Sequence, residues 1–308
     1  VTAVTAVTAL IPMTQADFHL PGTQIGDVPK GVLGTSDECR TCHGDFDVED
    51  EPWATWAGSL MGLAGRDPLF FAQMTTANQD VANVGTFCLR CHVPMSYVTG
   101  HASDPTGASL DEVDRDGVTC HFCHSQVDPV YVAGQSPPED AAVLDGLAEV
   151  PTSYANAMFV LDPEGVRRGP YSDTDAIHET IYSPFHKSGD MCGTCHDVGN
   201  VAVSKLPNGT YRLGEPLRLL LRGAPMPPRP ALSELIDRVR LVCTVYDPDT
   251  GTYRYNLLDQ PTPDENPWMQ FPLERTYTEW KLSEFAATGV DLGGRFGGTG
   301  GPVVETCQ

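Results

Sequence analysis

The chain has 308 residues, 41% of them hydrophobic, and 41 acidic against 19 basic side chains give it a formal charge of −22. That is enough chain for one large domain or two modest ones. So acidic a surface excludes nucleic acid as a partner, because phosphate binding needs a basic face, and no apolar run is long enough to span a bilayer.

In chain order, residues 1–36 are expected as an extended N-terminal arm. The arm opens on the threefold repeat VTAVTAVTAL, which is apolar and β-prone. It reads either as a frayed terminus or as a strand that adds to a neighbouring subunit. There is no initiator Met and no basic-then-apolar leader, so a signal peptide is expected to have been removed already. Residues 37–200 follow as a region rich in Gly, Asp and Pro, with short helices expected at 53–64 and 68–79. Residues 132–159 read as a long connection with a short helix. Beyond 200 the pattern changes: VAVSKLPNGTYRL and VRLVCTVYDPDTGTYRYNLL each alternate around a turn and predict two hairpins, so 201–308 is expected to be β-rich and to return to the central region. Asp247 and Asp249 lack the further ligands of a calcium loop and read as a plain turn.

Ten cysteines stand against nine histidines, and eight of the cysteines fall into four copies of C-x-x-C-H. These are Cys39-Cys42-His43, Cys88-Cys91-His92, Cys120-Cys123-His124 and Cys192-Cys195-His196. The motif is the signature of covalently attached haem c. Two thiols separated by two residues reach both vinyl groups of one porphyrin, and the next residue then sits over the iron. Zinc sites and redox C-x-x-C pairs do not require a histidine after every second cysteine. Four attached haems are therefore expected, with His43, His92, His124 and His196 as proximal ligands. Haem attachment of this kind takes place outside the cytoplasm, so the protein is expected to be periplasmic or extracellular.

A six-coordinate haem needs a second axial ligand, and that ligand tunes its potential. The remaining histidines, His19, His101, His121, His178 and His186, are the candidates, one more than four irons require. His178 and His186 are expected on one helix, two turns apart and so on similar faces. His101 lies in a Gly-containing loop after the second motif, and His19 in the N-terminal arm. His121 stands inside the third motif, where it is expected to ligate a haem other than the one held by Cys120 and Cys123. Met61 is a thioether candidate, with core packing as the competing reading.

The segments DFHLPGTQ, CRTCHG, WAGSLMGLAGRDPLFFA, FCLRCHVP, GVTCHFCH, SPFHKSGDMCGTCHDVGN and LERTYTEWKLSEFA together resemble a family of exported bacterial multihaem c-type cytochromes. The likeness is weakest over 131–170 and 201–262. It implies a mostly irregular multihaem cytochrome c fold, with short α-helices around stacked haems and a small β-hairpin-rich C-terminal part. In many multihaem cytochromes a W-x-x-S-x-H helix delivers a distal histidine. Here Trp56, Ser59 and Met61 repeat that spacing with Met at the ligand position, and Trp280, Ser283 and Phe285 repeat it with a residue that cannot ligate. Relatives continue past the equivalent of TCQ into another haem motif. Cys307 therefore either opens a fifth C-x-x-C-H beyond Gln308 or pairs with Cys243 in a disulfide.

The expected function is electron transfer with redox partner proteins or extracellular acceptors, in a homo-oligomer or filament of the kind that some tetrahaem relatives form. The alternative is a multihaem oxidoreductase with one open haem, acting on nitrogen or sulfur oxyanions. Such an enzyme needs a basic pocket, which the sequence does not supply.

Overall fold

The computed structural model describes residues 14–199 and the segments 203–205, 211–213, 244–247, 252–255, 272–274, 276–291 and 303–304. The V-T-A repeat, Cys243 and Cys307 lie outside these. The chain divides into two compact units, residues 1–126 with 161–167, and 127–160 with 168–308. Three C-x-x-C-H motifs belong to the first unit and the fourth to the second, and position 200/201 is not a boundary between them.

The first unit is built on short helices started by side-chain caps. Helix α1 (Ser36–His43) follows Thr35, whose hydroxyl accepts from the Glu38 N–H, with acids in its first turn and bases in its last. Both features oppose the helix dipole. The expected helix 53–64 is two helices, α2 (Pro52–Ala57) and α3 (Leu60–Leu63), because Gly58 ends one and Ser59 caps the other by accepting from the Gly62 N–H. In the W-x-x-S spacing the serine is thus an N-cap, a role that competes with continuing the helix. Helix α4 (Pro68–Asp80) starts on an Asp67 cap with Pro68 in its first turn. Helices α5 (Gly85–His92), α6 (Pro94–Val98) and α7 (Cys120–His124) complete the unit.

Residues 18–28, expected as part of a free arm, are packed into this unit. Phe18, Leu20 and Val28 are buried, and Val28 N–H donates to Val98 O at 3.0 Å. The fully buried guanidinium of Arg90 donates to Pro21 O and Thr23 O, each at 3.1 Å. An arginine inside a haem motif therefore ties the N-terminal segment to it, and the apolar alternation of that segment is too short to have signalled this.

In the second unit, helix α8 (Pro138–Asp145) lays Leu144 against Val127 and Val160. Its Asp140 accepts from Arg168 Nε at 2.8 Å, with both side chains fully buried. Helix α9 (Gly189–Gly193) packs against α10 (Thr276–Lys281), and α11 (Glu284–Thr288) follows. The contact between α9 and α10 requires glycine: a Cβ on Gly193 would lie 2.7 Å from the Tyr277 ring. Strand 203–205 pairs antiparallel with 211–213, and 244–247 with 252–255, as the two expected hairpins require. Among the described residues no helix is long and apolar enough to cross a membrane.

Breaking a buried ion pair by removing one partner costs about 3–5 kcal/mol. Arg168→Ala is expected to lower the stability of the second unit by that order, read as lost amide protection over 138–145 in hydrogen exchange. Replacing both partners together by Leu and Met restores most of it.

Candidate haem attachment sites

Each motif forms a helical turn. Positions n, n+3 and n+4 share one helix face, so the two thiols and the imidazole of each motif project together. In α1 these are Cys39, Cys42 and His43, in α5 Cys88, Cys91 and His92, and in α7 Cys120, Cys123 and His124. The fourth motif starts in α9 with Cys192, and its helical geometry runs on because His196 N–H donates to Cys192 O at 2.8 Å. None of the eight motif cysteines is in a disulfide, all eight are partly or fully exposed, and His43, His124 and His196 are exposed.

Two attachment helices come together. Helix α1 packs on α7, and Ser36 bridges them, its N–H donating to Asp116 Oδ2 at 3.0 Å and its Oγ accepting from Cys120 N–H at 3.3 Å. The Cys39 thiol donates to Thr35 O at 3.6 Å. The neighbouring Cys39 and Cys120 thiols act on each other, Cys120 pushing Cys39 up and Cys39 pulling Cys120 down. Burial pushes the Cys88 thiol up. The chain enters the third motif through Gly117, whose φ of +73° suits glycine and whose added Cβ would lie 2.5 Å from Met61 O. Trp56 Nε1–H donates to Val118 O at 2.7 Å, and Val118 N–H to Met61 O at 3.0 Å. The W-x-x-S-x-M segment is therefore pinned two residues before Cys120, with the Met61 side chain half exposed.

These residues fit haem. Donor chemistry supplies two thiols and one imidazole per face, and several large apolar side chains of the first unit stand uncovered. Leu60 is 88% exposed, Leu69 74% and Phe46 66%, and Met74 is the one side chain that α4 fully buries. Each such side chain gains about 1.5–3 kcal/mol when covered, and a porphyrin face is a suitable cover. Phe70 lies flat on the His92 imidazole, with centroids 3.6 Å apart and planes 8° apart, which fixes the ring plane of that proximal ligand. Around the fourth motif, Tyr277 N–H donates to His196 O at 2.9 Å and Tyr277 OH to Asp190. Thr278 Oγ1–H donates to Asp197 Oδ2 at 2.6 Å. Burial, with the Asp190 carboxylate second, pushes the Tyr277 phenol up. Phe70, Asp190 and Tyr277 carry no motif spacing, and only packing reveals them.

The distal candidates differ sharply. His178 and His186 do not share a helix: Thr180–Tyr182 is a strand and Pro184–Lys187 a 3₁₀ turn. Pro184 has no N–H to give and disfavours helix in the residue before it. His186 is buried and His178 partly exposed, its Nδ1 within 3.0 Å of Thr180 Oγ1. His19 is exposed between buried Phe18 and Leu20. His101 places Nδ1 2.7 Å from Asp114 Oδ1.

His121 is buried with both ring nitrogens engaged. Nδ1 accepts from Gly34 N–H at 2.7 Å, so Nε2 carries the proton and donates to Gly165 O at 2.9 Å. To meet a second iron, His121 would have to give up a carbonyl it already serves. In this conformation it is a clasp between two loops. Burial, above all, holds its imidazole neutral by lowering its pKa.

No family model, no curated protein and no solved structure matches this chain.

Losing the clasp leaves a donor and an acceptor unpaired, at about 1–3 kcal/mol each. His121→Ala is therefore expected to destabilise the first unit by about 2–6 kcal/mol while every haem of the proposed cytochrome stays low-spin. Because the folded-state pKa lies below the ordinary value of 6.5, the unfolded chain takes up the proton first. Stability is thus full above that value and falls as pH drops below it. Denaturant midpoints measured at pH 7.5 and 5.5 are expected to differ in the native chain, and to differ less in His121→Ala.

Proposed function

We propose that the chain is a tetrahaem c-type cytochrome that relays electrons outside the cytoplasm, with every iron six-coordinate. The observation that supports this is that each of the four C-x-x-C-H motifs forms a helical turn, which puts its two cysteines and its histidine on one face. Haem, when bound, supplies one-electron chemistry at iron, and the chain's own residues do the holding. Cys39, Cys42, Cys88, Cys91, Cys120, Cys123, Cys192 and Cys195 take the thioether bonds, and His43, His92, His124 and His196 the proximal positions. Thr35, Thr119 and Ser188 cap three of these helices and so set the direction of each face. The packing of α1 on α7, bridged by Ser36, brings the first and third attachment points side by side, as a short electron path requires.

His101, His186, His178, His19 and Met61 still outnumber the four irons once His121 is set aside, which favours a carrier over a haem left open for substrate. For assembly, the exposed His19 sits on a segment that Arg90 holds in place, where a second copy can be reached, and a filament of copies is the arrangement this favours.

Optical and electron paramagnetic resonance spectra of the exported protein test the reading. Four low-spin c-type haems, unchanged on adding carbon monoxide to the reduced protein, are expected. A haem that binds carbon monoxide overturns the carrier reading in favour of the oxidoreductase, and a chain without covalent haem overturns both.

A further inference from the structure

We infer that Asp114 is a positioning residue that holds His101 as the distal ligand of one of the chain's haem irons. This inference rests on the multihaem reading and goes beyond it by selecting one ligand and the group that tunes it.

A histidine that binds metal through one ring nitrogen characteristically gives the other N–H to a carboxylate, which fixes the tautomer and makes the ligand more basic. His101 has that arrangement. Its Nδ1 lies 2.7 Å from Asp114 Oδ1 and 2.6 Å from Oδ2. The carboxylate accepts and Nδ1 therefore carries the hydrogen, which leaves the lone pair on Nε2. Among the described residues Nε2 makes no hydrogen bond, and the side chain is 38% exposed. Asp114 thus holds the Nδ1 side of a ring that is itself partly exposed.

Asp114 is itself immobilised. Its side chain is only 6% exposed, and Oδ2 accepts from Asp111 N–H at 2.9 Å. The backbone closes around the pair, with Ser96 Oγ–H donating to Asp114 O at 3.4 Å and His101 N–H donating to Ser96 O at 2.8 Å. Ser96 lies on α6, which directly follows the second motif. Asp111 is close by, but its Oδ1 serves the N–H groups of Val113 and Asp114 and belongs to the turn.

His121 has a backbone partner on each nitrogen, and Nδ1 of His178 meets a hydroxyl and a carbonyl on its own strand. Neither has a carboxylate there. A carboxylate on Nδ1–H strengthens donation from Nε2, which stabilises ferric iron over ferrous, so the haem that receives His101 has its potential lowered by Asp114.

The test uses the haem-loaded full chain. In His101→Ala one of four haems becomes high-spin, and added imidazole returns it to low-spin. In Asp114→Asn the haem-to-protein ratio and the low-spin state are kept, while one of the four midpoint potentials moves upward; Asp114→Glu moves it back toward the native value. Four low-spin haems in His101→Ala overturn the ligand assignment. A high-spin haem in His101→Ala with all four potentials unchanged in Asp114→Asn overturns the positioning role. Absence of covalent haem from the native chain would instead overturn the reading beneath it.

Discussion

Two thiols and an imidazole at positions n, n+3 and n+4 of one helical turn form the constraint on which the rest of this molecule is arranged. Each set shares one face of its turn, so each motif helix is short and is entered by a cap or a tight turn, while protein touches that face at points such as Phe70 on the His92 ring. The cost appears in the packing. Apolar residues such as Leu60 and Leu69 stand in solvent, area that a prosthetic group would cover under the proposed reading.

Polar interactions take over much of what a continuous core would otherwise do. Arg90 gathers backbone carbonyls of the N-terminal segment, His121 joins the loops at Gly34 and Gly165, and in the second unit Asp140 and Arg168 pair in full burial. Buried groups of this kind are costly when one partner is missing. They specify loop positions that few apolar contacts would fix. Asp190, Tyr277, Asp197 and Thr278 do the same around the fourth motif, fastening α10 to the turn that carries His196.

The four C-x-x-C-H motifs can be read from the sequence alone because they are a local code, complete within a single helical turn, and the haem they imply belongs to the proposed function. The two hairpins were legible for the same reason, through Asn208-Gly209 and the turn after Asp247. What depended on distant partners was not. The W-x-x-S spacing reads as one helix until Ser59 is seen capping the next, and residues 175–196 read as helical until Pro184 is weighed against the strand before it. His121 looks like a ligand by counting, but Gly34 and Gly165, far away in sequence, engage both its nitrogens. Conversely, His101 gains its interest from Asp114, thirteen residues on, a pairing that no motif announces.

The claim at the centre of this account is that four C-x-x-C-H faces each hold haem through two thioethers. Intact mass of the exported protein under denaturing conditions, where only covalent groups stay attached, measures this directly. The account predicts the polypeptide mass plus four haems for the chain to Gln308, and one haem fewer in Cys120→Ser/Cys123→Ser. A bare polypeptide mass, or one that carries only a metal lost on denaturation, would contradict it.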